Sequence, residues 1–240
     1  MHLIRIGFIG LFLLLLSIPA IAQDRNDQPL IVPHVVDFEL TGDGQQSAWQ
    51  EIEWAHLAQN DNFEKSQGLE SRFKLAYSDH GIYVLFENTD RILSATIEAD
   101  FKRIWREDVV ELFFWPDEDV RSYFEYELSP LNYELVLLIL EGGGSWIPFG
   151  YHGSNRATRH LTSVTGGEKI SGGSITGWMA EFFIPYALMG NLLDEPPSSG
   201  DEWRANFYRI DYDDGQTHFA WQPVERSYHE LDRYGTIRFE

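Results

Sequence analysis

The chain has 240 residues, with 18 Lys and Arg against 38 Asp and Glu and no cysteine. A hydrophobic share of 43% with 15% aromatics can build a real core, which excludes general disorder. The missing cysteine excludes disulfides, thiolate metal sites, a Cys nucleophile and a lipid-modified N-terminal cysteine. The formal net charge of −20 repels phosphate backbones and sets nucleic-acid binding aside.

The N-terminus reads as an address. Arg5 precedes an apolar run from Ile6 to Ile18 with Leu13, Leu14, Leu15 and Leu16 at its centre. Pro19 breaks the run, and Ala20-Ile21-Ala22 offers small residues where a signal peptidase reads. The run is roughly 13 residues, short of the ~20 of a spanning helix. The expectation is a cleaved signal peptide over 1–22, a loose lead-in over 23–32 and one domain over 33–240. Such a chain is exported, to the periplasm or the outside of the cell.

Strand-like runs then follow one another, separated by turn residues. His34 to Leu40 is the first. Ser71 to Ser78 and Gly81 to Glu87 flank Asp79-His80 as a hairpin. Val109 to Trp115 is a dense apolar strand stopped by Pro116. Tyr123 to Ser129 and Tyr133 to Leu140 pair across Pro130-Leu131-Asn132. Gly142-Gly143-Gly144 opens a long loop to Asn155 that holds Trp146. Ala157 to Val164, Trp178 to Ile184, Trp203 to Asp211, His218 to Gln222 and Gly235 to Phe239 complete the series, with one helical turn or two after Pro185. Ten or more short strands with almost no helical periodicity predict an all-β, two-layer sandwich or a barrel. The loops from Leu57 to Gly68 and from Glu141 to Asn155 are long enough to suggest function.

Glu111 stands mid-strand among large apolar side chains. A carboxylate there is costly unless it is paired, with Arg209 or Arg72 for example, or faces a wet site where it takes hydrogen bonds from a ligand. Trp105 lies among charges at Arg103-Ile104-Trp105-Arg106-Glu107-Asp108, as a platform against which a sugar ring's C–H face could pack, or as a cap on the core edge. Near the C-terminus, Trp221 reads as core and Tyr228 as exposed. Asp211, Asp213 and Asp214 in one turn, and Asp117, Glu118 and Asp119 in another, offer oxygen ligands suited to Ca²⁺ or a solvated charge run. No motif for covalent catalysis or phosphate binding is present.

Several segments in order carry a resemblance. They are Trp105, Asp108-Val109-Val110-Glu111-Leu112-Phe113, Phe124-Glu125-Tyr126-Glu127 and Gly177-Trp178-Met179-Ala180-Glu181-Phe182-Phe183-Ile184-Pro185. Ala205-Asn206-Phe207-Tyr208-Arg209-Ile210-Asp211, Trp221 and Arg233-Tyr234-Gly235-Thr236-Ile237-Arg238-Phe239 follow. From about Pro33 to Glu240 the chain resembles the family 9 carbohydrate-binding module, within the DOMON-like group. The resemblance implies an immunoglobulin-like β-sandwich in which two aromatic platforms hold a terminal sugar and polar side chains bind its hydroxyls. Trp105 falls on the first platform, Tyr228 on the second in place of Trp, and Glu111 on a sugar-contacting acid. The family's sugar-binding Arg falls on Glu125, its Gln on Tyr208 and its Asn on Glu225, with Arg209 beside Tyr208 as a substitute donor. Family members carry structural Ca²⁺.

The resemblance implies an exported, non-catalytic protein that binds an oligo- or polysaccharide, linked to polysaccharide breakdown and acting beside separate glycoside hydrolases. Two other readings stand beside it. One is a haem-binding DOMON-like protein, with Met179 or Met189 and His152, His218 or His229 as axial ligands. The other is a glycan hydrolase using Glu111 with Glu125 or Glu127 as acid and base.

Overall fold

The computed structural model describes residues 28–60, 66–149, 154–190, 192–213 and 215–240. The expected signal peptide, His152 and Asp214 lie outside them. In chain order the described strands are β1 (Leu30–Val32), β2 (Ala55–Gln59), β3 (Ser71–Tyr77), β4 (Gly81–Thr89), β5 (Val109–Trp115), β6 (Tyr123–Leu128) and β7 (Glu134–Leu140). They continue as β8 (Ser145–Pro148), β9 (Arg159–Thr165), β10 (Gly177–Pro185), β11 (Glu202–Asp211), β12 (Thr217–Ala220) and β13 (Gly235–Phe239). The one α-helical turn among the described residues, α1, is Tyr186–Met189. Among the described residues no helix is long and apolar enough to cross a membrane.

The strands form one hydrogen-bonded path, β8-β7-β6-β5-β11-β12-β2-β3-β4-β10-β9, with β13 beside the first half of β11 and β1 parallel to β13. The path bends at β12 and β2 into two layers. Alternation decides what each layer buries, since successive side chains on a strand point to opposite faces. In β5, Val110, Leu112 and Phe114 point inward; in β6, Phe124, Tyr126 and Leu128; in β10, Ala180 and Phe182. Their rings meet across the layers. Phe73 of β3 stacks on Phe207 of β11 at 3.9 Å between centroids, and Tyr126 of β6 on Phe182 of β10 at 4.7 Å. Each fully buried Phe here contributes about 1.5–3 kcal/mol. The all-β sandwich expected from the pattern is what forms.

Four segments differ from the sequence expectation. Leu30–Val32, within the expected lead-in, pairs with β13. His34 to Leu40 alternates like a strand, yet only His34 makes a bridge, to Tyr77. The rest lies over the outer face of β3, β4 and β10, where Phe38 stacks on Tyr83 at 4.1 Å and packs edge-on against Trp49. Ala55–Gln59 forms β2 although its far end was expected in a loop. Ser145–Pro148, also in an expected loop, pairs antiparallel with β7 as β8. Gly143 makes that hairpin possible. Its φ is +98°, and a Cβ there would lie 2.7 Å from the Cβ of His229.

Candidate functional site

The second set of side chains on β5, β6 and β11 forms the outer face of its layer. β5 puts Val109, Glu111 and Phe113 there. β6 puts Tyr123, Glu125 and Glu127 there, because Glu127 pairs with Glu111 and Glu125 with Phe113. On the other side of β5, Tyr208 of β11 pairs with Glu111. Three glutamates therefore occupy adjoining positions on one face of two neighbouring strands. Like charges directly opposed across a ladder destabilise it.

These acids are also buried. Glu111 is 3% exposed, Glu125 5% and Glu127 0%. No hydrogen-bond donor among the described residues reaches Glu125 Oε2 or either oxygen of Glu127. The Trp105 backbone N–H faces Glu127 outside bonding geometry. Burial pushes the carboxyl of Glu125 up to about 7, although the neighbouring Glu127 side chain holds it down. Burial and then the neighbouring glutamate charges push Glu111 and Glu127 well above the usual range. Glu181 on β10 shows what a structural buried acid looks like in this chain. It is equally buried, but it accepts from Trp49 Nε1 at 2.8 Å, from the backbone N–H groups of Thr41 and Gly42 at 2.8 and 2.5 Å, and from Thr41 Oγ1 at 3.2 Å.

Aromatic side chains surround the glutamates. Tyr228, half-buried, stacks on Tyr208 at 3.9 Å with 8° between the rings. Its carbonyl accepts from the hydroxyls of Tyr208 and Tyr234 at 3.0 and 2.9 Å, and its own hydroxyl lies 2.6 Å from His218 Nδ1. One ring face is thus covered and the ring is held before any ligand arrives. Trp105, also half-buried, sits on a single 3₁₀ turn just before β5. Its carbonyl is held by Tyr212 Oη at 2.9 Å. Trp146 of β8 meets it edge-on, 6.0 Å away at 79°, and is 43% exposed.

Trp105, Trp146, Tyr228, Phe113 and the three glutamates line a common pocket of about 380 Å³. Trp146, His218 and His229 are pocket members that the sequence reading did not assign to a sugar site. The pocket's other polar groups are quiet. Burial lowers the imidazoles of His218, to about 4, and of His229, which disfavours the charged form of both. His229 Nδ1 lies 2.6 Å from the Tyr123 hydroxyl. Arg226 is mostly exposed and turned to Glu230 at 3.3 Å.

Two expected contacts do not form. Arg209 pairs with Val110, one position out of register with Glu111, so its side chain points to the opposite face. There it is fully buried, bonded to Asp90 Oδ2 at 3.1 Å, Asp211 Oδ2 at 2.5 Å and the carbonyls of Glu70 and Thr89. It cannot donate to a ligand in the pocket, nor pair with Glu111. Arg72 is spent on Glu87. Tyr208 is on the correct face but fully buried behind Tyr228, so it supports the platform and does not touch the pocket.

Asp211 belongs to a different acidic group from the one expected. Asp90, Asp108 and Asp211, all buried, bring three carboxylate oxygens within 4.8 Å of one another. Burial raises Asp90 to about 6 and Asp108 to about 8, against the Arg209 charge that lowers Asp90. The Arg209 guanidinium serves Asp90 and Asp211, and the nearby Asp213 has a buried Oδ2 without a donor. An all-oxygen, acid-rich donor set of this kind fits Ca²⁺. Asp108 also accepts from the backbone N–H of Tyr212 at 2.9 Å, whose hydroxyl holds Trp105. The group is therefore wired to the pocket through one residue. The methionines of the haem reading lie elsewhere: Met189 in the interlayer core and Met179 on the outer face of the other layer.

A family model described as carbohydrate-binding family 9 matches residues 43–239, which is most of the chain. The chain belongs to carbohydrate-binding family 9. Solved structures repeat its fold. A Bacteroides uniformis protein to which carbohydrate binding is ascribed superposes with a TM-score of 0.71 at 18% identity, covering 89% of this chain and 99% of that one. A family 9 module of Caldicellulosiruptor kristjanssonii solved with cellotriose gives 0.62 at 15% identity, covering 89% and 94%. The same organism's family 9 module with glucose gives 0.60 at 16%, covering 89% and 96%. No curated protein sequence matches the chain.

This family 9 module departs from the resemblance at its polar positions. Glu225, where an Asn was implied, is exposed and paired with Arg233. Glu125, where an Arg was implied, joins the buried acids. No guanidinium meets the three pocket glutamates among the described residues.

Proposed function

We propose that the chain is an exported, non-catalytic carbohydrate-binding module whose ligand site is the pocket between Trp105, Trp146 and Tyr228. The observation that carries this reading is the convergence of exposed aromatic faces with buried carboxylates that lack donors. A pyranose has what both lack: a C–H face to cover the rings, and hydroxyls to donate to Glu111 and Glu125. Tyr228, held on Tyr208 and His218, needs little ordering on binding, which limits the entropic cost. The site is concave and mixed in polarity, as small-ligand sites are.

The relatives solved with glucose and cellotriose support a saccharide ligand. The Arg5-to-Ala22 leader supports export, and with it a role in capturing saccharides outside the cytoplasm beside separate hydrolases. The Asp90, Asp108 and Asp211 group is the candidate Ca²⁺ site. A bound ion there would offset the excess negative charge and hold Tyr212, and so Trp105, in place.

A saccharide-array screen of residues 23–240, with and without Ca²⁺, followed by titration of each hit, tests the reading. Saturable binding that Trp105→Ala weakens by about thirtyfold or more, in the range of a hot-spot residue, is expected. A Trp105→Ala variant that binds every hit as tightly as wild type would remove the site.

A further inference from the structure

The pocket glutamates are short of hydrogen-bond donors in a way that a neutral sugar only half relieves. A hydroxyl brings one donor and two acceptor lone pairs, whereas a primary ammonium brings three donors and no acceptor. Glu127 is the most enclosed of the three, with no exposure at all. All three line the pocket, and Glu111 and Glu125 are the two that keep any exposure to it. Nothing cationic among the described residues answers them. Arg226 is turned to Glu230, Arg209 is on the far face of the strand, and His218 and His229 bond to tyrosine hydroxyls. The contrast with Glu181, buried to the same degree and served by four donors, shows that this fold supplies donors to a structural acid.

We infer that the ligand class of this pocket is an amino sugar, with its ring against Trp105, Trp146 and Tyr228 and its primary ammonium bonded to Glu111 and Glu125. The inference rests on the carbohydrate reading and narrows it. The aromatic walls serve both halves of such a ligand: they cover the C–H face of the ring, and their π-faces favour a nearby cation. A dication is a poorer fit. Among the described residues only the Asp90, Asp108 and Asp211 group brings three carboxylate oxygens within 4.8 Å of one another.

The test is calorimetric titration of the protein at pH 7 with glucosamine, N-acetylglucosamine, glucose and putrescine. Glucosamine is expected to bind about tenfold or more tighter than glucose and N-acetylglucosamine, the ratio one charge-assisted hydrogen bond supplies. Putrescine, an ammonium without a ring, is expected to show no saturable binding. In Glu125→Gln the ratio of glucosamine to glucose affinity is expected to fall towards one. That ratio is read in wild type as well, so the test does not depend on the variant. Equal affinity for glucosamine and glucose would overturn the amino-sugar inference and leave the carbohydrate reading standing. Putrescine binding as tight as glucosamine would overturn it by showing a bare ammonium site. No binding of any sugar would remove both.

Discussion

Replacing Glu125 with Gln removes one buried carboxyl without changing the size of the side chain, and its effect on stability has a sign that pH controls. The folded carboxyl sits at about 7 and its reference value is 4.5. Below pH 4.5 both folded and unfolded chains hold the proton, and the group costs nothing. Between 4.5 and 7 the unfolded chain gives up the proton while the folded chain keeps it. Stability therefore falls as pH rises, by about 1.4 kcal/mol per pH unit. Above 7 the loss levels off at about 3 kcal/mol. Gln cannot ionise, so the variant escapes this loss. Urea unfolding of both proteins at half-unit steps from pH 4.5 to 8 measures it. Asp90, Asp108 and His218 titrate in both proteins and cancel in the difference, whereas Glu111 and Glu127 lose the Glu125 charge that helps push them up, which adds to the variant's gain in the same direction. Glu125→Gln should match wild type within about 1 kcal/mol at pH 4.5 and exceed it by about 3 kcal/mol at pH 8. A difference that stays flat across that range would refute the claim that Glu125 is held buried without a cationic partner. A variant gaining stability while losing glucosamine preference would show the acid to be kept for binding at a cost to the fold.

Arg209→Met should destabilise the protein by about 3–5 kcal/mol in chemical denaturation, because it strands Asp90 and Asp211 without their buried cation. An effect under 1 kcal/mol would refute that account of the buried pair. Millimolar Ca²⁺ should raise the melting temperature, and Asp108→Asn should abolish the increase; an unchanged melting temperature in wild type would exclude the metal site. Gly143→Ala should move the β7–β8 hairpin away from His229 and lower sugar affinity more than it lowers stability, read by titration and melting together. Equal affinity in that variant would separate Trp146 from the ligand.

Much of the fold was legible because it depends on a period of two. Val109 to Trp115 alternates between residues that fill the interlayer core and residues that face the pocket, and Gly235 to Phe239 forms β13 over the range read from sequence. The misread segments broke that link between pattern and pairing. His34 to Leu40 has the alternation but uses it to cover Trp49 and Tyr83, with Phe38 N–H bonded to the Tyr83 hydroxyl instead of a strand. β8 has four exposed residues and therefore no alternation at all.

The site was legible in part for the same reason. Trp105, Glu111, Glu125 and Tyr228 line one pocket, and their order along the chain carried the resemblance. The misplacement of Arg209 was avoidable: adjacent residues of one strand cannot both face one ligand, so Tyr208 and Arg209 exclude each other. Trp146 was out of reach, since only the β8 pairing brings it to Trp105. The Asp90, Asp108 and Asp211 group was hidden by distance along the chain, and of the local run at Asp211, Asp213 and Asp214 it takes in Asp211.

The most direct test of the central claim is to follow the tryptophan indole N–H signals of the labelled protein by NMR during titration with a binding saccharide. The account predicts that the Trp105 and Trp146 signals move together and saturate. The Trp49 signal, tied to Glu181 on the opposite layer, should stay in place. Saturable binding that leaves Trp105 and Trp146 unmoved and shifts Trp49 or Trp54 instead would put the sugar on the other face of the sandwich and contradict the account.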